Sequence, residues 1–128
     1  MSTANSYKNG TAQTILVIED EEFLRAAVSK ALQRTGKTVL EADDGTTAIR
    51  LIETYAQHID VIFLDITLPG TQSRKVIEEA IEKRPDALVI LTSAYPQKIA
   101  EELFSGLEIK HFLRKPYRLA ELSALINA

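Results

Sequence analysis

Cysteine is absent from the 128 residues, which excludes a disulfide scaffold, a Cys-ligated zinc site and thiol catalysis together. Glycine is scarce, with five residues in all, and none are spaced as GxGxxG, so the dinucleotide-binding fingerprint is missing. Gly36-Lys37-Thr38 looks like the end of a phosphate-binding P-loop, but the earlier glycine position holds Ala31 and the segment follows a helical stretch. It reads as a helix stop. Basic charge is not in excess: 15 Lys and Arg against 18 Asp and Glu leave a net charge of −3, which gives no field for wrapping nucleic acid. Long apolar runs are also missing. The longest aliphatic run covers 87–91, far below the ~20 residues of a transmembrane helix, so neither direct nucleic-acid binding nor membrane insertion is expected. The two histidines, His58 and His111, lie far apart and lack ligand spacing.

What remains is an ordinary globular composition, 45% apolar and 26% charged. A chain of this length can bury about two thirds of its unfolded surface, enough for one core. Residues 1–13 are polar and lack the apolar stretch of a secretory signal, so they read as a flexible leader on a cytoplasmic protein, ahead of one domain at 14–128.

Along that domain, short apolar runs alternate with stretches of helical periodicity. The runs are 14–18, 38–42, 61–64, 87–91 and 111–113. Between them, Phe23/Leu24, Ala27/Val28 and Ala31/Leu32 lay a stripe along a first helix that ends near Thr35, with Gly36 as its left-handed stop. Ala48, Ile49, Ile52 and Tyr55 mark a second helix, with Asp43 or Asp44 placed to cap it. A third carries Val76, Ile77, Ala80 and Ile81 and stops at Lys83, Arg84 and Pro85, a basic end that suits the helix dipole. Ile99, Leu103 and Phe104 outline a shorter fourth, and Leu119, Leu122, Leu125 and Ile126 the fifth. Strands alternating with helices predict an α/β fold: a doubly wound, five-stranded parallel sheet, a three-layer sandwich, taken in the order 2-1-3-4-5 that is one of the common orders of such sheets.

In such a sheet ligands bind at the carboxyl ends of the strands, near the point where the winding reverses. The polar residues at those ends are Glu19 and Asp20 after the first strand and Asp65 after the third. Thr92 and Ser93 follow the fourth strand, and Lys115-Pro116 the fifth. Singly, each has an ordinary structural reading, as a first-turn acid or a turn residue. Jointly they do not, because the first and third strands are neighbours in this order and three carboxylates then converge. Two unit charges ~5 Å apart repel by ~3 kcal/mol at an effective dielectric of ~20, so a counter-charge is required. A hard divalent ion such as Mg²⁺ suits an all-oxygen site, and Lys115 adds a compact second charge. A carboxylate between a metal ion and an ammonium, with a hydroxyl nearby, suits phosphoryl transfer with Asp65 as nucleophile.

Five segments carry a resemblance to a known family: Ile15-Leu16-Val17-Ile18-Glu19-Asp20-Glu21, Glu41-Ala42-Asp43-Asp44-Gly45, Phe63-Leu64-Asp65-Ile66-Thr67-Leu68-Pro69-Gly70, Leu91-Thr92-Ser93-Ala94-Tyr95 and Phe112-Leu113-Arg114-Lys115-Pro116-Tyr117. In order and spacing they resemble the receiver domain of two-component response regulators, from Thr14 to the C-terminus. The resemblance implies a flavodoxin-like fold in which Asp65 accepts a phosphoryl group from a histidine kinase or histidine phosphotransfer protein. It implies Mg²⁺ (or Mn²⁺) held by Asp20, Asp65 and the backbone carbonyl of Thr67, with Glu19 on metal-bound water. Lys115 becomes the phosphoryl-binding lysine. Ser93, 22 residues before Lys115, is the expected switch hydroxyl, with Thr92 pointing to the opposite face. Phe112 takes the place of the aromatic that turns inward when that hydroxyl moves. Lys115-Pro116 matches a peptide that is commonly cis in this family.

One departure is Ser73, where the family usually has a glycine opening the third helix. The implied switching face, the fourth helix with the fifth strand and fifth helix, leaves room for a homodimer. Output then runs through protein contact, as in a stand-alone receiver or the C-terminal receiver of a hybrid sensor kinase. Two rivals are weaker. A phosphatase of the haloacid dehalogenase type places an aspartate two residues after its nucleophile, where this chain has Thr67. A non-phosphorylated pseudo-receiver has no evident reason to keep Asp20, Asp65 and Lys115 together.

Overall fold

The computed structural model describes residues 12–68, 73–107 and 109–128, so most of the leader and Pro69-Gly70 lie outside the described residues. The element order is β1 (Thr14–Ile18), α1 (Glu22–Arg34), β2 (Thr38–Ala42), α2 (Gly45–Tyr55), a 3₁₀ turn (Ala56–His58), β3 (Val61–Asp65), α3 (Ser73–Lys83), β4 (Leu88–Ser93), α4 (Gln97–Leu103), β5 (His111–Arg114) and α5 (Leu119–Ile126). The five strands form one sheet in the order β2-β1-β3-β4-β5, every pair parallel. This is the doubly wound topology that the alternation predicts, in the flavodoxin-like form that the resemblance implies.

Alternating side chains serve two separate cores. Leu16, Ile18, Ile62, Leu64 and Leu91 pack against α2, α3 and α4, while Ile15, Val17, Val61, Phe63 and Ile90 pack against α1 and α5. Burial on both faces is why the central strands β1, β3 and β4 read as apolar runs. Gln13, the last residue of the sequence-assigned leader, accepts the Thr38 N–H at its carbonyl, 2.8 Å, and the Lys37 ammonium at its side chain, 2.6 Å.

Local signals act as read. Asp44, rather than Asp43, caps α2: its Oδ1 accepts the Thr47 N–H at 2.7 Å, a bond that holds its carboxyl below the usual range. Gly36 stands at φ +88 just past α1. Helix phase is where the sequence stripes need correction. In α1 the inward line is half-buried Leu24 followed by buried Val28 and Leu32, and Phe23 is 87% exposed, because 100° per residue turns the residue before each of these away from the core. In α4 the buried residue is Ala100, with Phe104 just beyond the helix, while Ile99 and Leu103 face out.

Candidate functional site

Glu19 leaves the end of β1 and Asp65 is the last residue of β3, adjacent strands on which alternation points both side chains to the α1 and α5 side. Both are buried, and Lys115 reaches them from beyond β5: its Nζ lies 2.8 Å from Glu19 Oε1 and 2.9 Å from Asp65 Oδ2. Asp20, next in the chain and exposed, completes the group. Glu19, Asp20 and Asp65 each offer an oxygen within 4.8 Å of the others. The convergence expected from sequence is therefore present, with the ammonium as its counter-charge.

Each carboxylate is held differently. Asp65 Oδ1 accepts both the N–H of Thr67, at 2.9 Å, and its hydroxyl, at 2.8 Å. Burial pushes the Asp65 carboxyl up, but the Thr67 and Lys115 hydrogen bonds together outweigh it and hold it below its ordinary value. Glu19 Oε2 accepts the Glu21 N–H at 3.0 Å, and here burial prevails over Lys115 and Glu21, so its carboxyl is raised. For Lys115 burial acts downward, yet its bonds to Glu19 and Asp65 push the ammonium up to about 12. Tyr117 closes this side, edge-on to Phe63 with ring centroids 5.5 Å apart. Burial, then the Glu19 charge, raise its hydroxyl to about 12.

The hydroxyls at the end of β4 divide between the two faces. Thr92 pairs with Asp65 on one side and Leu113 on the other, so it shares the Asp65 face. It is buried, and among the described residues its hydroxyl has no partner. Ser93, also buried, lies on the α4 face with Leu91 and Phe112, and its Oγ accepts the Tyr95 N–H at 2.9 Å. Phe112 is half-buried and borders a cavity of about 130 Å³ that Leu91, Ala100, Phe104 and Leu107 also line. Ser73, at the position where a glycine was expected, donates its hydroxyl to the Ile66 carbonyl at 2.9 Å and so ties the start of α3 to the site loop. Lys115-Pro116 is cis.

Two contributors escape the sequence reading. The Thr67 hydroxyl is one, since the family resemblance gives a role only to its backbone carbonyl. Arg25 is the other: its Nη1 donates to the Glu19 carbonyl at 2.9 Å while its Nε pairs with Glu41 Oε1 at 3.0 Å. A helical spacing of four from Arg25 to the buried Ser29, beside a glutamate on the neighbouring strand, was the available signal.

Chemically, the site is a set of oxygen donors suited to a hard divalent cation, next to a fixed ammonium. Among proteins of known kind, the chain is 29% identical over 114 residues to a cyclic di-GMP phosphodiesterase of Thermotoga maritima, covering 89% of this chain and 30% of the relative. It is 28% identical over 114 residues to the sensor kinase CckA of Brucella abortus, covering 89% of this chain and 12% of the relative. The chain thus spans under a third of the length of either. A solved receiver domain protein from Clostridium thermocellum superposes with a TM-score of 0.81 at 27% identity, covering 90% of this chain and 91% of that one. Residues 15–127 match the family model for the response regulator receiver domain. With its fold and sequence in agreement, the chain belongs to the response regulator receiver domain family of two-component signalling.

Proposed function

We propose that Asp65 is the phosphoacceptor of this receiver, loaded by a histidine kinase or histidine phosphotransfer protein in a reaction that depends on Mg²⁺. The observation that carries this reading is the buried Asp65 carboxylate, ionised between Lys115 and Thr67 and within 4.8 Å of two further carboxylates. In the transfer an Asp65 oxygen forms a bond to phosphorus as the P–N bond of phosphohistidine breaks. The electron pair leaves on the imidazole nitrogen, which takes a proton from water. No general base is needed, because Asp65 is held below its ordinary carboxyl value.

Asp20, Asp65 and the Thr67 carbonyl would hold the cation, with Glu19 on its bound water. When bound, that cation supplies charge to neutralise the phosphoryl oxygens. Lys115 is placed to bind another of those oxygens. Receiver domains act as phosphoacceptor switches, and turnover of a separate substrate is not part of this reading. Incubation with acetyl phosphate and Mg²⁺, followed by mass mapping, tests it. A single phosphoryl group on Asp65 is expected, and labelling confined to another residue overturns the assignment.

Two predictions separate the parts. Asp20→Asn keeps the side-chain shape but removes a charged ligand, so Mg²⁺ affinity should fall at least tenfold. The cation-free protein should melt slightly higher, by about 1 kcal/mol or less, because Asp20 is exposed and water screens the repulsion it relieves. Calorimetric Mg²⁺ titration and thermal melting check both, and wild-type values in each exclude a cation site.

The second concerns the switch. Ser93 and Phe112 share the α4 face, so movement of the Ser93 hydroxyl toward a phosphoryl oxygen opens space that Phe112 can enter. Full enclosure of such a ring is worth about 1.5–3 kcal/mol, one to two orders of magnitude in the balance of two states. Ser93→Ala should accept the phosphoryl group yet lose the amide-shift response of α4, β5 and α5 to beryllofluoride. Thr92→Val exchanges an unpartnered hydroxyl for a methyl group of similar size. It should respond as wild type does and melt at the same temperature or up to about 1 kcal/mol more stably. The opposite pattern assigns the switch to Thr92.

A further inference from the structure

Of the three clustered carboxylates, Asp20 alone is exposed, and its carboxylate takes no hydrogen bond from the described residues. Glu19 and Asp65 are fixed through their side chains by Lys115, the Glu21 N–H and Thr67. Asp20 has only its backbone to place it. The residue before it, Glu19, is held at both of its backbone polar groups: its N–H donates to the Ala42 carbonyl at 3.0 Å, and its carbonyl, in the peptide unit shared with Asp20, accepts Nη1 of Arg25 at 2.9 Å. Arg25 is in turn held by Glu41 on β2, at 3.0 Å, with its side chain only 18% exposed. One planar guanidinium therefore spans from β2 to the loop that carries Asp20. A lysine, with a single charged atom, has no fork with which to make both contacts.

We infer that Arg25, anchored by Glu41, is a positioning residue that sets Asp20 for divalent-cation binding. This rests on the reading of the acidic pocket given above. Arg25 works through the Glu19 carbonyl and touches neither cation nor phosphoryl group. Its two effects on a cation have opposite signs, which makes the inference decidable. As a positive charge near the pocket, Arg25 repels a cation, so its removal should tighten binding. As a clamp on the loop, it preorganises a ligand, so its removal should weaken binding, and groups that orient metal ligands are typically worth 10–100-fold in affinity.

Amide chemical-shift titration with Mg²⁺ alone, on the whole chain, reads the outcome. Arg25→Gln is expected to raise the dissociation constant about tenfold, and Arg25→Lys should also raise it although the charge is kept. In an Asp20→Asn background the same Arg25→Gln change should raise it less than about twofold, because the ligand it positions has already been impaired. A purely structural role for Arg25 leaves the tenfold loss intact in that background. Tighter or unchanged Mg²⁺ binding in Arg25→Gln, or an additive cycle, overturns the inference. Should Arg25→Gln fail to fold, the cycle is run with Arg25→Lys and the same criteria. A wild-type chain that binds no Mg²⁺ overturns the pocket reading and this inference together, whereas wild-type binding with an additive cycle overturns this inference alone.

Discussion

Asp65→Asn is expected to take up no phosphoryl group from acetyl phosphate and Mg²⁺, a loss of at least a hundredfold in labelling, while melting within about 5 °C of wild type. The loss is chemical. An amide oxygen is a poor nucleophile toward phosphorus, and Asn cannot carry the acyl phosphate that the carboxylate forms. The stability estimate comes from two opposed effects at one atom. Oδ1 survives the substitution and still accepts the N–H and hydroxyl of Thr67. What changes is the Oδ2 position, where an amide nitrogen now faces the Lys115 ammonium that stood 2.9 Å away. A hydrogen bond to a charged group, worth about 1.5–3 kcal/mol, is lost. Against it, repulsion from carboxylates within 4.8 Å is relieved, of similar size at an effective dielectric of about 20. The difference is about 1 kcal/mol or less, a few degrees for a domain of this size. Wild-type labelling of the Asn variant assigns the phosphoacceptor elsewhere, and a collapse in melting temperature makes Asp65 a structural residue first.

The central strands were legible because β1, β3 and β4 are buried on both faces, which leaves continuous apolar runs in the sequence, while the edge strands β2 and β5 are only partly buried and read from shorter, mixed runs. Their ends were less so. The run 87–91 stops where apolarity stops, yet β4 continues through Thr92 and Ser93, because backbone pairing to Asp65 and Arg114 is indifferent to side-chain polarity. Those two extra residues are the ones that matter for the switch. Helix existence was equally plain, and helix phase was not. Where apolar residues stand in adjacent pairs, as at Phe23/Leu24, the sequence does not say which member faces in. The candidate site was legible from its residue types at strand ends, since carboxylates and a lysine there have few structural uses in combination. Arg25 escaped for the reverse reason. Arginine in an amphipathic helix usually marks the solvated side, and only the neighbouring strand's Glu41 reveals that this one points inward. Exposed Phe23 lies at the first turn of α1, just past the acidic pocket, and the sequence stripe had assigned it to the core.

Lys115→Met gives the largest expected loss of stability, and its sign with pH and Mg²⁺ distinguishes charge from packing. The ammonium bridges Glu19 and Asp65, whose side chains are only 5% and 2% exposed. Removing one partner from a buried ion pair typically costs about 3–5 kcal/mol, because the remaining charge stays buried without compensation. Here two carboxylates are left facing each other. In wild type, Lys115 has its folded value raised to about 12, so its stabilisation is complete below about 10.4 and is lost only as pH rises through 12. Around neutrality it adds no slope. Asp65, depressed in the folded state, contributes stability above its unfolded value that is lost as pH falls through the folded one. Glu19, raised, acts in reverse: the folded protein binds its proton more readily, so stability is gained as pH falls through its folded value. Loss of Lys115 removes a lowering influence from both acids, so the pair shifts upward and takes up a proton between them. Without divalent cations, the Met variant should therefore become more stable from pH 7 to pH 5, narrowing its gap to wild type. At pH 7, Mg²⁺ should recover much of the loss, up to about 2.7 kcal/mol at a hundredfold excess over its dissociation constant, since a dication then occupies the same field. Thermal melts of both proteins at the two pH values, with chelator or with Mg²⁺, measure this. A Met variant whose deficit is unchanged by both acid and Mg²⁺ is destabilised by packing, and the ammonium is then no counter-charge to the acidic cluster.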